Sequence, residues 1–213
     1  MVAVVWDCDG VLVDSEPHSV AAWMAVLPRY GSPAGPSDVA ACTGLGFGPT
    51  FTHLASLGSA VPYPPAAELW GELLAALEES FAGGLLVFQD ALGAVRAAGE
   101  AGVPQAVATT SPRARLDATL RAAGLTGFFG ATAAGDEVRE GKPAPDVYLL
   151  AAARLGVTPG ECVAVEDTGF GVRAARAAGM RTFGIVREER ERSAMAAAGA
   201  EIVDRIDPAL LLG

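Results

Sequence analysis

Residues 2–10 read Val2-Ala3-Val4-Val5-Trp6-Asp7-Cys8-Asp9-Gly10, an apolar run that ends on two aspartates one residue apart. A short apolar run without alternation suits a strand buried on both faces of a parallel sheet. A carboxylate at the end of such a strand is costly unless it is paired, hydrogen-bonded or bound to a metal. Two of them together call for a cationic partner.

Similar runs recur at residues 103–109, 129–133, 162–165, 182–186 and 201–203. Helical segments separate them. Asp90 is placed to cap a helix over 91–101, and Ser111-Pro112 reads as an N-cap followed by a first-turn proline, opening a helix that runs to Gly124. Further helices are predicted over 146–155, 169–178 and 187–198, each followed by glycine. From about residue 85 onward this alternation predicts an α/β fold, a doubly wound parallel sheet.

Residues 15–82 break the pattern. They are mostly helix-like, with Gly/Pro-rich interruptions at 31–36, 44–49 and 61–65. The expected organisation is therefore a core of residues 1–14 and 83–213 with an inserted helical domain of residues 15–82. Trp23, Trp70 and Phe81 are expected to pack the insert.

Composition narrows the function. The 213 residues are 51% hydrophobic and 19% charged, which predicts a folded chain with a substantial core. The net charge of −10 and the lack of a Lys/Arg-rich run argue against nucleic acid as a partner. Cys8, Cys42 and Cys162 are too few and too scattered for a disulfide framework or a zinc site; Cys8 and Cys162 read as small buried hydrophobes. No apolar stretch has the length of a membrane span, and the N-terminus lacks the basic region of a signal peptide. A cytoplasmic monomer without membrane association is the expectation. The run Arg187-Glu188-Glu189-Arg190-Glu191-Arg192 is expected to be a solvated, ion-paired helix face.

In an open parallel sheet, ligands bind beyond the carboxyl ends of the strands. Here one strand ends in Asp7 and Asp9, another in Thr109-Thr110-Ser111, a third in Glu166-Asp167, with Gly141-Lys142-Pro143 preceding that third strand. Asp7, Asp9, Glu166 and Asp167 crowded at one edge would repel without a cation. Mg²⁺ takes oxygen ligands and tolerates a phosphate in its shell. Such a site suits phosphoryl transfer, where catalysis is largely positioning and charge neutralisation.

Four segments, in order, carry a resemblance over nearly the whole chain. They are Asp7-Cys8-Asp9-Gly10-Val11-Leu12-Val13-Asp14-Ser15-Glu16, Ala106-Val107-Ala108-Thr109, Gly141-Lys142-Pro143-Ala144-Pro145-Asp146-Val147-Tyr148 and Val163-Ala164-Val165-Glu166-Asp167-Thr168-Gly169-Phe170-Gly171. The sequence resembles haloacid dehalogenase-superfamily phosphatases, in the subgroup that includes β-phosphoglucomutase and phosphoglycolate phosphatase. The resemblance implies a Rossmann-like core and a helical, C1-type cap over the substrate, hinged near Ser15–Glu16 and Gly83-Gly84. It implies Asp7 as nucleophile, Asp9 as acid and base, and Thr109 and Lys142 as further catalytic groups. It implies phosphate or substrate binding at Cys8, Gly10, Thr110, Ser111 and Arg113. It implies Mg²⁺ held by Asp7, the Asp9 carbonyl and Asp167, with Glu166 acting through the metal's water. Asp14 is expected to fix the turn without doing chemistry.

The branches of that family differ at readable positions. Asp9 argues against a dehalogenase. The absence of lysine from residues 15–82 argues against a phosphonatase, which needs a cap lysine. A phosphomutase must grip a second phosphate, yet Thr43-Gly44-Leu45-Gly46-Phe47-Gly48 offers no basic residue, and Pro112 stands where a lysine is expected; Arg113 or Arg115 remains as a substitute. Residues 15–82 carry six acids and one base, Arg29. The expected activity is Mg²⁺-dependent hydrolysis of a small phosphorylated metabolite, a sugar or polyol phosphate, through an aspartyl-phosphate. The alternatives are a sugar phosphomutase and a non-catalytic binding protein on the same scaffold. His18 is expected at a surface or hinge. The segment Val87-Phe88-Gln89-Asp90-Ala91, where relatives carry a Pro-Gly turn, departs from the pattern.

Overall fold

The computed structural model describes residues 3–42 and 45–212. Strand β1 (Ala3–Trp6) is fully buried, and β2 (Val13–Asp14) follows the turn that carries Asp9. The chain then enters four helices, α1 (Glu16–Val26), α2 (Pro36–Ala40), α3 (Phe47–Ser56) and α4 (Ala66–Phe81), and returns through β3 (Leu86–Val87), which pairs antiparallel with β2. From there helices and strands alternate: α5 (Gln89–Glu100), β4 (Gln105–Ala108), α6 (Arg113–Ala122), β5 (Ala131–Ala133), α7 (Asp146–Leu155), β6 (Cys162–Glu166), α8 (Gly169–Ala177), β7 (Arg181–Ile185), α9 (Glu189–Ala197), β8 (Glu201–Val203) and α10 (Pro208–Leu212).

Six of these strands form one sheet in the order β5-β4-β1-β6-β7-β8, every pair parallel. Strand β1 lies between β4 and β6, with Val5 level with Ala106 on one side and Ala164 on the other. Its edges are thus both paired, and all four of its residues are buried, so both faces are covered too, which is why its sequence is apolar without alternation. Strand order reverses here, and the crevice beyond these carboxyl ends is where ligands bind in such sheets. One face of the core packs Ala3, Val5, Ala106, Ala164, Tyr148 and Met180 together.

The chain separates into two compact units, one joining the chain up to Asp14 with that from Leu86 onward, the other spanning Ser15–Leu85. In the second unit, Leu69, Leu73 and Leu77 recur every four residues on α4 and are buried, as is Phe81. Trp23 stacks on Phe47 with centroids 6.2 Å apart, and Phe47 meets Trp70 edge-on at 5.1 Å, so these aromatics do pack the unit. The interruption expected over 44–49 is shorter, because α3 already starts at Phe47. Thr43, Gly44 and Val2 lie outside the described residues. His18 is half-buried in the first turn of α1, where its Nδ1 lies 3.0 Å from Ser80 Oγ and its ring packs edge-on against Phe81.

Three local readings are corrected. The strand at 103–109 is only Gln105–Ala108. Ser111 does not cap α6; the cap position is Pro112, and the Ser111 hydroxyl goes elsewhere. Asp90 does not cap α5 but sits in its first turn, committed to a distant arginine.

Candidate active site

Of the four carboxylates, Glu166 is the last residue of β6, and Asp7, Asp9 and Asp167 follow the ends of β1 and β6. Lys142 joins them from the loop before α7. Its Nζ donates to Asp7 Oδ1 and Glu166 Oε1, each at 2.5 Å, and to the Ala108 carbonyl at 3.0 Å. Three acceptors use all three ammonium hydrogens. The side chain is only 5% exposed. Burial by itself would discharge this lysine, but Asp7 and Glu166 overcome that and hold its pKa above the ordinary range.

Glu166 is saturated on both oxygens. Oε1 also accepts from Tyr148 Oη at 2.6 Å, while Oε2 accepts from the Asp167 and Thr168 amides and the Thr168 hydroxyl. Burial and the neighbouring Glu166 carboxylate keep the Tyr148 phenol protonated, so it is a donor here. Asp7, Glu166 and Asp167 each offer a carboxylate oxygen within 4.8 Å of the others. An octahedral Mg²⁺ shell of about 2.1 Å radius spans about 4.2 Å between opposite ligands, so small adjustments bring the Asp7 and Asp167 oxygens around one ion, with the saturated Glu166 beside it. Burial, then Asp7 and Glu166, push the Asp167 carboxyl far up. Burial also raises Asp7, against the pull of Lys142 and with Glu166 and Asp9 adding to the rise. Three carboxylates facing one ammonium are a donor set that a divalent cation fits.

Two glycines make the crowding possible. A Cβ on Gly10, whose φ of +88° is glycine territory, would lie 1.9 Å from Asp167 Oδ2. A Cβ on Gly171 would lie 1.9 Å from Glu166 Oε1. Thr168 caps α8 by accepting from the Gly171 amide at 3.1 Å, which aims the Glu166-Asp167 pair.

Asp9 stands apart from the metal-competent trio. Its Oδ2 accepts from Ser111 Oγ at 2.9 Å and from Thr109 Oγ1 at 3.4 Å, and its Oδ1 lies 3.3 Å from the Arg115 guanidinium. The Thr109 hydroxyl also accepts from the Ser111 amide at 3.0 Å. The loop bearing Thr110 is tight, since a Cβ on Gly135 would come within 2.2 Å of the Thr110 carbonyl.

Arg113 is not brought to the site. Its guanidinium is spent on Asp117, Thr132 and Glu137, and the arginine beside Asp9 is Arg115, two residues along the helix. The Cys8 thiol is buried and held protonated by burial and by Asp9 and Asp7, so it offers no nucleophile. Sequence reading missed Tyr148, which looks like one more apolar residue of α7, and Arg115, although Arg115 stood among the possible substitutes.

A family model described as haloacid dehalogenase-like hydrolase matches residues 1–179. The chain belongs to the haloacid dehalogenase-like hydrolases. It is 37% identical over 180 residues to the fructose-1-phosphate phosphatase YqaB of Escherichia coli, covering 83% of this chain and 92% of that one. It is 32% identical over 205 residues to a phosphorylated carbohydrates phosphatase of Thermotoga maritima, covering 94% and 92%. Among solved structures, CbbY of Rhodobacter sphaeroides in complex with phosphate superimposes with a TM-score of 0.84 at 28% identity over 97% of this chain and 95% of that one. A variant of the same protein in complex with xylulose-(1,5)bisphosphate gives 0.83 at 27% identity, with the same coverage.

Proposed function

We propose that this hydrolase is a divalent-metal-dependent phosphatase of small sugar or polyol monophosphates, working through an aspartyl-phosphate. The carrying observation is the buried Lys142 bridging Asp7 and Glu166 beside Asp167, with Asp9 held separately by Thr109 and Ser111. That arrangement separates a nucleophile from an acid–base group. The phosphatases of E. coli and T. maritima named above support the reaction class and the carbohydrate phosphate as substrate class.

Asp7 attacks phosphorus, and the ester P–O bond breaks. Asp9 gives its proton to the departing alkoxide. Asp9 then takes a proton from water, the water oxygen attacks phosphorus, and the bond to Asp7 breaks to release phosphate. Lys142 keeps the Asp7 carboxylate oriented and offsets charge on it. Thr109, Thr110 and Ser111, with the peptide N–H of Cys8, bind phosphoryl oxygens. Asp7, Asp167 and the Asp9 carbonyl would hold Mg²⁺, with Glu166 acting through its water; when bound, the ion supplies charge neutralisation on the phosphoryl oxygens.

Residues 15–82 favour a leaving group with no second phosphate. Their one base, Arg29, is paired with Glu72 at 3.2 Å, and Glu72 also accepts from Tyr30 Oη at 2.8 Å. The test is phosphate release from a panel of phosphomonoesters and bisphosphates, with Mg²⁺ or chelator, for the protein and Asp7→Asn. Expected are Mg²⁺-dependent release from sugar or polyol monophosphates and a loss of at least about a thousandfold in Asp7→Asn. A bisphosphate or phosphoglycolate as best substrate overturns the substrate class. Exchange between two sugar phosphates without release makes the protein a mutase, and no turnover at all makes it a binding protein.

A further inference from the structure

The charge run at 187–192 splits into two kinds of residue. Arg190 and Arg192 make exposed ion pairs with Glu188, Glu189 and Asp204. Arg187, just past β7, is only 18% exposed and faces inward. Its guanidinium grips both oxygens of Asp90 at 2.8 and 3.1 Å and sits over the Phe88 ring, its central carbon 3.9 Å from the centroid. The same guanidinium donates to the Gly10 carbonyl at 3.3 Å and to the Val11 carbonyl at 3.4 Å. Asp90 is itself anchored, accepting from the Ile206 amide at 3.1 Å.

These contacts meet the loop that carries Asp9. Lys142 fixes Asp7 at the end of β1, but Asp9 lies beyond the strand, joined to the fold through a bridge to Val13. The loop closes on itself through Gly10 N to Val13 O at 2.8 Å and Leu12 N to Cys8 O at 3.0 Å. Its carbonyls at Gly10 and Val11 are taken by Arg187. The Phe88 amide donates to the Leu12 carbonyl at 3.0 Å, so the residues standing where relatives carry Pro-Gly hold the loop from both the side chain and the backbone.

We infer that Arg187 is a positioning residue for the reaction: clamped by Asp90 and Phe88, it pins the Gly10 and Val11 carbonyls and so fixes the peptide bearing Asp9. An exposed ion pair would have no such reach into the catalytic loop. Released, the loop shifts Asp9 relative to Asp7, and a displacement of this kind slows chemistry without changing how substrate is held.

The kinetic arm rests on the phosphatase reading; the exchange arm does not. Arg187→Met, Arg187→Lys and the parent are compared at saturating Mg²⁺ on the best monophosphate, with amide hydrogen exchange followed in parallel. For Arg187→Met we expect kcat to fall roughly tenfold to a hundredfold with KM within about twofold, and Arg187→Lys to fall between, since an ammonium reaches one partner but lacks the fork. The Gly10 and Leu12 amides should exchange faster while Ala106 and Val107 in β4 keep their protection. An unchanged kcat, a change confined to KM, or acceleration spread equally over β4 overturns the inference. A parent protein with no turnover sinks the phosphatase reading, and the exchange pattern alone then decides the clamp.

Discussion

Two ionic clusters lie in the core unit, and they differ in their charge balance. In one, Lys142 faces the buried Asp7 and Glu166, with the half-buried Asp167 alongside. In the other, Glu137 sits between two guanidiniums, accepting from Arg113 at 2.5 Å and from Arg154 at 2.8 and 3.2 Å, with the Ala134 amide as a further donor at 2.9 Å. The second cluster satisfies its carboxylate completely. The first leaves carboxylates in excess, in a place where desolvation is severe. A balanced cluster stabilises a fold; an excess of buried carboxylate is the charge pattern that a divalent cation would offset.

Lys142→Met should break the first cluster hardest. It leaves Asp7 and Glu166 buried without their counter-charge, so phosphate release should fall by at least about a hundredfold and unfolding free energy by roughly 3–5 kcal/mol. Added Mg²⁺ should raise the melting temperature of this variant more than that of the parent, as a ligand bound only by the folded state does. Equal shifts in calorimetry would mean that the ion does not bind among these carboxylates.

Glu137→Gln probes the balanced cluster. The side chain is 26% exposed, so we place its cost at the low end for charged hydrogen bonds, roughly 1–2 kcal/mol at pH 7. Turnover per folded molecule should stay within about threefold. The bond from Arg154 does most to lower the Glu137 pKa, to about 2 against an ordinary 4.5, with Arg113 and the Ala134 amide adding to the effect and burial opposing it. A depressed carboxyl stabilises the fold fully above the unfolded value and loses that contribution as pH falls from about 4.5 toward 2. The difference in stability between the protein and Glu137→Gln should therefore shrink across that window in acid denaturation. A constant gap would show that the ion pairs contribute nothing.

Arg181→Ala should matter least. Its pair with Glu201 at 2.6 Å joins β7 to β8, but both side chains are about half exposed. Less than about 1 kcal/mol is expected in urea titration.

The sheet and the polar strand ends that gather Asp7, Glu166 and Asp167 were legible in the sequence because they are local. An apolar run, a helix stop at glycine or an Asp-x-Asp after a strand declares itself within a few residues. What was misread depends on partners far along the chain. Ser111 looks like a helix cap until its hydroxyl is seen on Asp9, 102 residues away. Asp90 has the spacing of a cap and Arg187 the spacing of a solvated helix face, yet each is spent on the other across 97 residues. Tyr148 carries the signature of core, and only the fold brings its hydroxyl to Glu166. Strands β2 and β3, two residues each, are too short to leave a periodic trace. Arg113 and Arg115 are equally plausible from their positions; Glu137 and Thr132 claim the first.

The central place of β1 has a consequence for how the chain is made. Its neighbours β4 and β6 begin at Gln105 and Cys162, so the most apolar strand leaves the ribosome long before either partner exists. At about 5–20 residues per second, the first partner follows roughly 5–20 s later and the second after a further 3–11 s. During that interval Ala3–Trp6 is a sticky segment without its sheet partners, and the helices α1 to α5 made meanwhile offer it no strand edge. Asp7, at the end of β1, is thus translated well before the two strands that shelter it.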